Sequence, residues 1–552
     1  MAFSSPRRSF SKTEPVRARP VTSGEAFGDA CCPTCLIARP WPLVLWVPLG
    51  LRGNLELPPR VVVFVRWVLM LRHLTILLVL CCSVIAADSK SAKIKPGTVL
   101  TVTTKSVVAR DLFERAMVDY ENMHIERAIV GWRAAANADP DLALAYTMVA
   151  LNIGDPQDAL SAREKGKLLM SKVSPGERLM ISWISSVQEG NFIQGIAAMN
   201  DLLAMYPKDK RLHYVAGNWL MYVDGYEQSQ RVLEKALAID KNYPAALNDL
   251  AYVYAHEREF DKVFAAMDRY VALLPNEPNP QDSYGELSRM AGNFDAALEH
   301  YRAALKLDPQ FVYSQLGVAD TYALMGQYEQ ARVEYDKAIK GAENPADRLE
   351  YRMQRATTWV REGRLLEANK EFLRIADEAH SQNFDFHEAE AQRRVAEYQT
   401  DDAEALRCLE AAEQALGHNA SIAQLDREQE LSRILRFRAV RAARAGQREL
   451  SAKALTQLDS LASRTRDGVV QSSWHGAAGA LLFEAGKYKE SIAHLTEDRD
   501  NPYSMALLSQ AYSEEGAFDE MHAVEARLRS MNMPTIEQAL VVPAARAKRP
   551  QL

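Results

Sequence analysis

The sequence predicts an all-α array of about twelve helical hairpins stacked in a solenoid, and three observations carry that expectation. Short turns followed by an aromatic residue recur in one register. Small, large and proline positions keep step with those turns. The chain of 552 residues, 48% hydrophobic and 25% charged, has the composition of ordinary folded protein.

The turns are Gly190-Asn191-Phe192, Asp224-Gly225-Tyr226, Arg258-Glu259-Phe260, Gly292-Asn293-Phe294 and Gly326-Gln327-Tyr328, each 34 residues after the last. Seven positions before the turn stand Gly217, Ala251, Gly285 and Ala319, with Trp183 in the first unit. Five after it come Gly195, Ser229, Val263, Ala297 and Ala331. Small side chains at both places let two antiparallel helices approach closely. Nine after the turn the residues are large (Met199, Leu233, Met267, Tyr301 and Tyr335) and fill the gap to the next hairpin. Pro207, Pro275 and Pro309 cannot continue a helix and end the unit. From Asp295 to Leu307, Ala297, Leu298, Tyr301, Ala304 and Leu305 form one apolar stripe at helical period. Gly292 suits a left-handed cap on the helix before it.

These positions resemble the tetratricopeptide repeat, most closely from Asp282 to Ala342. The resemblance implies helix pairs wound into a right-handed superhelix with a concave groove that takes a peptide or protein segment. It extends upstream through Ala116, Ala128, Trp132, Ala135 and Pro140, then through a degenerate unit near Gly154-Asp155-Pro156. Downstream, Gly363, Ala368 and Phe372, then Ala405, Leu409 and Ala412, Gly446, Gly486 with Tyr488, and Gly516 with Phe518 mark looser units. The expected division is an array over 107–345, with 176–345 the best-matching part, and degenerate repeats over 346–530. A break or bend is expected near Gly341 to Asp347, and a flexible tail over 531–552.

The front of the chain reads differently. Residues 1–87 carry ten basic and four acidic side chains, leaving 56 basic against 68 acidic groups in the remainder. Five of the six cysteines lie there too, so no disulfide scaffold is expected. Met70 begins a short basic head, an apolar run to Leu80 and a small-residue exit through Ala86-Ala87, the three parts of a secretory signal. The expectation is an upstream extension over 1–69, a signal over 70–87 and a linker over 88–106. The mature array would then be periplasmic or secreted. A membrane anchor over Val61 to Ala87 is the alternative, disfavoured by Arg66 and Arg72 within the stretch.

Chemistry is sparse. The sequence holds no G-x-x-x-x-G-K-[ST], no G-x-S-x-G and no H-E-x-x-H. No catalytic residue, metal site or cofactor is assigned, and the acidic remainder disfavours nucleic acid. Cys408 reads as a buried structural thiol, and the repeat-frame aromatics Trp132, Tyr254, Tyr301, Tyr322 and Tyr335 read as core. Arg433, Arg436, Arg438, Arg441, Arg444 and Arg448 read as a solvated, partly self-paired face. Candidate contacts for a peptide are polar first-helix residues: Asn218, Asn248, Asp249 and Asp282. A side-chain amide both donates and accepts, which suits an extended backbone. The functional expectation is a non-catalytic scaffold for an unidentified protein or peptide partner, exported, with a membrane contact only through an uncleaved N-terminal segment. A cytoplasmic regulatory array, like those joined to bacterial signalling proteins, is the alternative.

Overall fold

The computed structural model describes residues 98–153, 156–223, 225–342, 344–418 and 422–547. The expected extension over 1–69 and signal over Met70–Ala87 lie outside them. All described residues belong to one compact unit spanning Pro96–Leu552.

Among the described residues the fold is all α-helix with one 3-10 turn, and the helices pair in chain order. The first hairpins are α1 (Val107–Glu121) with α2 (Ile125–Ala138), α3 (Ala143–Asn152) with α4 (Pro156–Leu168), and α5 (Pro175–Gln188) with α6 (Phe192–Met205). The regular middle comprises α7 (Lys210–Tyr222), α8 (Tyr226–Ile239), α9 (Pro244–His256), α10 (Phe260–Leu273), α11 (Pro278–Ala291) and α12 (Phe294–Leu307). It continues through α13 (Val312–Leu324), α14 (Tyr328–Gly341), α15 (Pro345–Glu362), α16 (Leu365–Ser381), α17 (Asp385–Tyr398) and α18 (Asp402–His418). The last pairs are α19 (Gln424–Arg444) with α20 (Arg448–Arg464), α21 (Gly468–Glu484) with α22 (Tyr488–Glu497), and α23 (Pro502–Glu514) with α24 (Phe518–Arg529). A single helix, α25 (Ile536–Ala547), follows. Each helix packs on its sequence neighbours, and successive first helices also touch, as α9 does α7 and α11. Twelve hairpins and a lone first helix therefore form the superhelical repeat fold that the period of 34 implies.

The small positions act as expected. A Cβ on Gly217 would fall 2.6 Å from the Leu233 side chain, and one on Gly317 would fall 2.2 Å from the Tyr301 ring. Ser229, Ser451 and Ser491 each donate from a second helix to a first-helix carbonyl twelve residues back, at 2.7–2.8 Å. Within the hairpins, Gly190, Gly292, Gly326, Gly363, Gly446, Gly486 and Gly516 take the left-handed conformation. Where a hairpin turn lacks glycine, Met123 and Arg258 adopt positive φ instead, as does Asn383 in the connection between α16 and α17, at a cost of about 1–2 kcal/mol each.

Trp132, Tyr301 and Tyr335 are buried, whereas Tyr254 and Tyr322 are half-buried against the core. Cys408 is buried, and its thiol is pushed up to about 11 by burial and by Glu404. The arginines of α19 differ from expectation. Arg436, Arg438 and Arg441 are buried, not solvated. Arg436 pairs with Asp498 at 2.7 Å and Arg441 with Asp402 at 2.8 Å, while Arg438 pairs with Glu413. Arg441 also donates to the Ala396 and Glu397 carbonyls.

Three expected boundaries are corrected. The array does not break at Gly341 to Asp347: α14 packs on α15, and Tyr351 joins the core of Leu316, Ala331 and Tyr335. The described part of the supposed linker, 98–106, is bound to the array because Val102 enters the core. The tail is not loose from Met531 to Ala547, because Ile536, Ala539 and Val542 line one buried side of α25.

Filling the space beside Tyr301 is a direct test of close approach. Gly317→Ala is expected to lower stability by about 1–3 kcal/mol through overpacking, read as a shift in the urea midpoint. Gly341, with nothing within 4 Å of an added Cβ, should tolerate alanine without loss.

Candidate interaction site

The first helices form the inner layer, and their polar positions are covered. Asn218, Asn248, Asp249 and Asp282 are 9%, 5%, 3% and 9% exposed. Tyr120 of α1 donates to Asn218 Oδ1 at 3.2 Å, and Asn218 Nδ2 donates to Asp249 Oδ2 at 2.9 Å. One buried chain therefore joins the first, fourth and fifth hairpins. Asp282 lies apart from it and accepts from Ser314 Oγ at 2.6 Å, joining α11 to α13. The reason is packing: α1 reaches across three hairpins, and its Tyr120 ring lies 5.8 Å from that of Tyr214 on α7. Asn218, Asp249 and Asp282 thus hold the inner layer together, whereas the buried Oδ1 of Asn248 has no hydrogen-bond partner.

This layer is electrostatically unusual. Burial pushes the Asp249 carboxyl up to about 7, against hydrogen bonds from Asn218 and Asn248. Burial likewise raises Asp282 to about 7, and Asp320 to about 6 in spite of Arg289. Tyr335 donates to Asp320, while Arg289 pairs with Glu286 at 2.9 Å and reaches Tyr301 Oη at 3.4 Å.

Two stretches of the chain itself lie across the array. Residues 98–106 run without helix from one hairpin to the next. Leu100 N donates to Asp209 Oδ2 at 2.7 Å and Thr103 N donates to Glu177 Oε1 at 2.8 Å. The Thr103 hydroxyl also meets Glu177, and the Thr104 hydroxyl meets Asp139. Asp209 is the N-cap of α7, Glu177 closes the capping box of α5, and Asp139 ends α2. One carboxylate at each of the first three second-to-first connections thus receives a group from the extended segment, and Val102 anchors it in the core.

At the other end the polarity is reversed. Arg289 Nη1 donates to the Asn532 carbonyl at 3.3 Å, and Arg361 Nη2 donates to the Thr535 carbonyl at 3.0 Å and the Met533 carbonyl at 3.4 Å. Asn532 Nδ2 returns a bond to the Met290 carbonyl at 3.3 Å. Arg361 also donates to Gln538 Oε1.

Sequence reasoning missed these groups. Asp139, Asp209, Arg289 and Arg361 carry a faint signal, since the acids precede a first helix and the arginines stand just before a turn glycine. Nothing in a period of 34 says that Arg289 meets a residue 243 positions away. Among the described residues no group of three or more metal-ligating side chains is assembled, and no helix is long and apolar enough to cross a membrane.

The model of the tetratricopeptide repeat family matches residues 289–352. The TPR repeat-containing protein YpiA of Bacillus subtilis is 25% identical over 158 residues, which cover 28% of this chain and 37% of that protein. The human protein O-mannosyl-transferase TMTC1 is 22% identical over 178 residues, or 30% of this chain and 20% of that protein. The match thus spans little more than a third of the first of these relatives and a fifth of the second. Among solved structures, YrrB, described as a TPR protein with an unusual peptide-binding site, is 20% identical, covering 39% of this chain and 93% of that one at a TM-score of 0.24. The Cut9–Hcn1 hetero-tetramer of the APC/C is 16% identical, covering 73% of this chain and 76% of that one at a TM-score of 0.37.

The buried carboxyl of Asp249 makes a prediction about pH. The folded chain holds its proton up to about pH 7, whereas an unfolded chain releases it near pH 4. The contribution is therefore fully present below about pH 4 and is lost as pH rises through 7. Asp249→Asn, which cannot ionise, should gain on the wild type in urea midpoint between pH 4 and pH 8. A difference that stays constant over that range would show that Asp249 does not titrate there.

Proposed function

We propose that this chain, a tetratricopeptide-repeat protein, works as a non-catalytic scaffold that holds an extended segment of a partner protein along its hairpins. Arrays of this repeat generally mediate contacts between proteins. The observation that supports the finer reading is the binding of residues 100–104 by Asp209, Glu177 and Asp139, one acceptor at each of three successive connections. Backbone N–H groups presented along a strand meet fixed carboxylates, and side chains such as Val102 enter apolar gaps. Recognition of this kind draws affinity from the main chain and selectivity from alternate side chains. A rigid array adds little ordering cost on its own side.

Export belongs to the same proposal. The signal read at Met70–Ala87 would deliver the array outside the cytoplasm, where a chain left with only Cys408 needs no disulfide. A phosphatase reporter that works only outside the cytoplasm, fused after Ala87, should be active. An inactive fusion, or a mature N-terminus upstream of Met70, would sink the export reading.

The scaffold reading is tested by residue-resolved crosslinking of the purified chain with extract from its own source. A reproducible partner with links to the second-to-first turns is expected. Glu177→Gln and Asp209→Asn together should release residues 98–106, seen as faster amide exchange at Leu100 and Thr103. If no protein is captured, the scaffold reading fails.

A further inference from the structure

The segment after α24 differs from every other connection in the array. Its backbone is held by side chains of α11 and α15, 172 to 243 residues away. Its apolar groups are divided among three cores. Met533 packs with the α9–α11 cluster, Ile536, Ala539 and Leu540 with the α15–α19 cluster, and Val541, Val542 and Ala545 with Met505 and Leu528. Helix α25 touches α15 and α17 as well as its neighbours α23 and α24.

The same segment is weakly made. α25 has 12 residues with Pro543 inside it, and an interior proline removes a helical hydrogen bond. The helix also brings Glu537 towards Glu397 of α17, whose carboxyl rises to about 8 through burial and the nearby Glu537 charge. Glu397 keeps Arg393 on one oxygen and has no hydrogen-bond partner on the other. Arg394 and Glu430 also bear on this carboxyl, and Tyr503 and Arg441 lie close by. The contacts, not the helix, keep the segment in place.

We propose that Met531–Ala547 is a displaceable latch, the resident occupant of a receptor edge formed by Arg289, the Met290 carbonyl and Arg361. The external occupant is a partner segment of the same chemistry. It has a short extended stretch whose carbonyls face the two guanidiniums and an amide side chain for Met290, leading into a turn or two of helix with apolar residues at i, i+3 and i+6. Asn532, Met533, Ile536, Ala539 and Val542 supply that pattern here. The proposal rests on the scaffold reading and gives it a partner class and a gate: the edge is free only when the latch is out.

The test uses the full chain and a labelled synthetic peptide of residues 529–547. Asn532→Ala with Ile536→Ser and Gln538→Ala weakens the latch without touching the receptor. Peptide anisotropy should report at least tenfold tighter binding to this variant than to wild type, and Arg361→Ala in the same background should abolish it. Equal binding to both chains, or binding to neither, overturns the latch. A wild-type dimer joined through this segment would make a second copy the occupant and overturn a foreign one. Independent of any variant, amides of 536–542 in the wild-type chain should exchange at least tenfold faster than those of α23. Equal protection would make the segment a fixed part of the array. Failure here with partner crosslinks still found at Asp139, Glu177 and Asp209 removes the latch alone, whereas loss of all crosslinks removes the scaffold reading.

Discussion

A two-helix hairpin has no interior of its own, and that constraint governs this protein. Each hairpin buries its apolar stripe only by meeting the next, so stability arises at repeated interfaces and not in one central core. The interfaces are made tight by unequal pairs. Tyr301 lies against Gly285 on its own hairpin and against Gly317 on the next, with room at neither place for a Cβ. A fully buried aromatic ring of this kind contributes about 2–3 kcal/mol, and it does so only if both neighbours stay small. The period of 34 is the visible trace of that requirement.

Stacking also forces polar groups inward. First helices press on one another along the inner layer, so a polar residue there must find a partner within the protein. Asn218 and Asp249 find each other and Tyr120; Asp320 finds Tyr335. Burial keeps these carboxyls near neutrality in pH, so their hydrogen bonds serve both as structure and as sites of titration. In α19 the same demand is met with arginine, whose fork can satisfy a carboxylate and two carbonyls at once, as Arg441 does.

What the sequence revealed and what it hid follow from the range of each interaction. Helices, turns and close-approach positions are local or lie one hairpin away, so Gly292, Ala297 and Tyr301 state them openly. The hairpins at Met123 and Arg258 lack glycine yet close through the same positive φ, because neighbours on both sides fix the fold. The burial of the four polar candidates was hidden for a different reason. Asn218, Asn248, Asp249 and Asp282 do face inward, but hydropathy cannot say whether an inward face meets solvent or another turn of the array. The groups that hold the two extended segments are ordinary at their own positions. Glu177 reads as a capping-box acid, and it is one; its second role at Thr103 depends on a chain segment 74 residues earlier.

The two bound segments share a cause. A linear stack leaves one hairpin at each end with an unmatched face, and it leaves a row of helix termini along each edge. Helix N-termini gather carboxylates as caps, and each such carboxylate has lone pairs beyond those the cap uses. An extended backbone that presents N–H groups to that edge is therefore bound by residues already required for folding. Asp209 accepts from Arg211 N and Leu212 N as a cap and from Leu100 N as a receptor. The opposite edge exposes the ends of first helices, where a basic residue is favoured by the helix dipole and by free carbonyls. Arg289 and Arg361 stand there, with donors to spare for a second backbone. Binding of extended chain at both edges is thus a by-product of how helices are terminated, seen at Asp139, Glu177 and Asp209 on one edge and at Arg289 and Arg361 on the other.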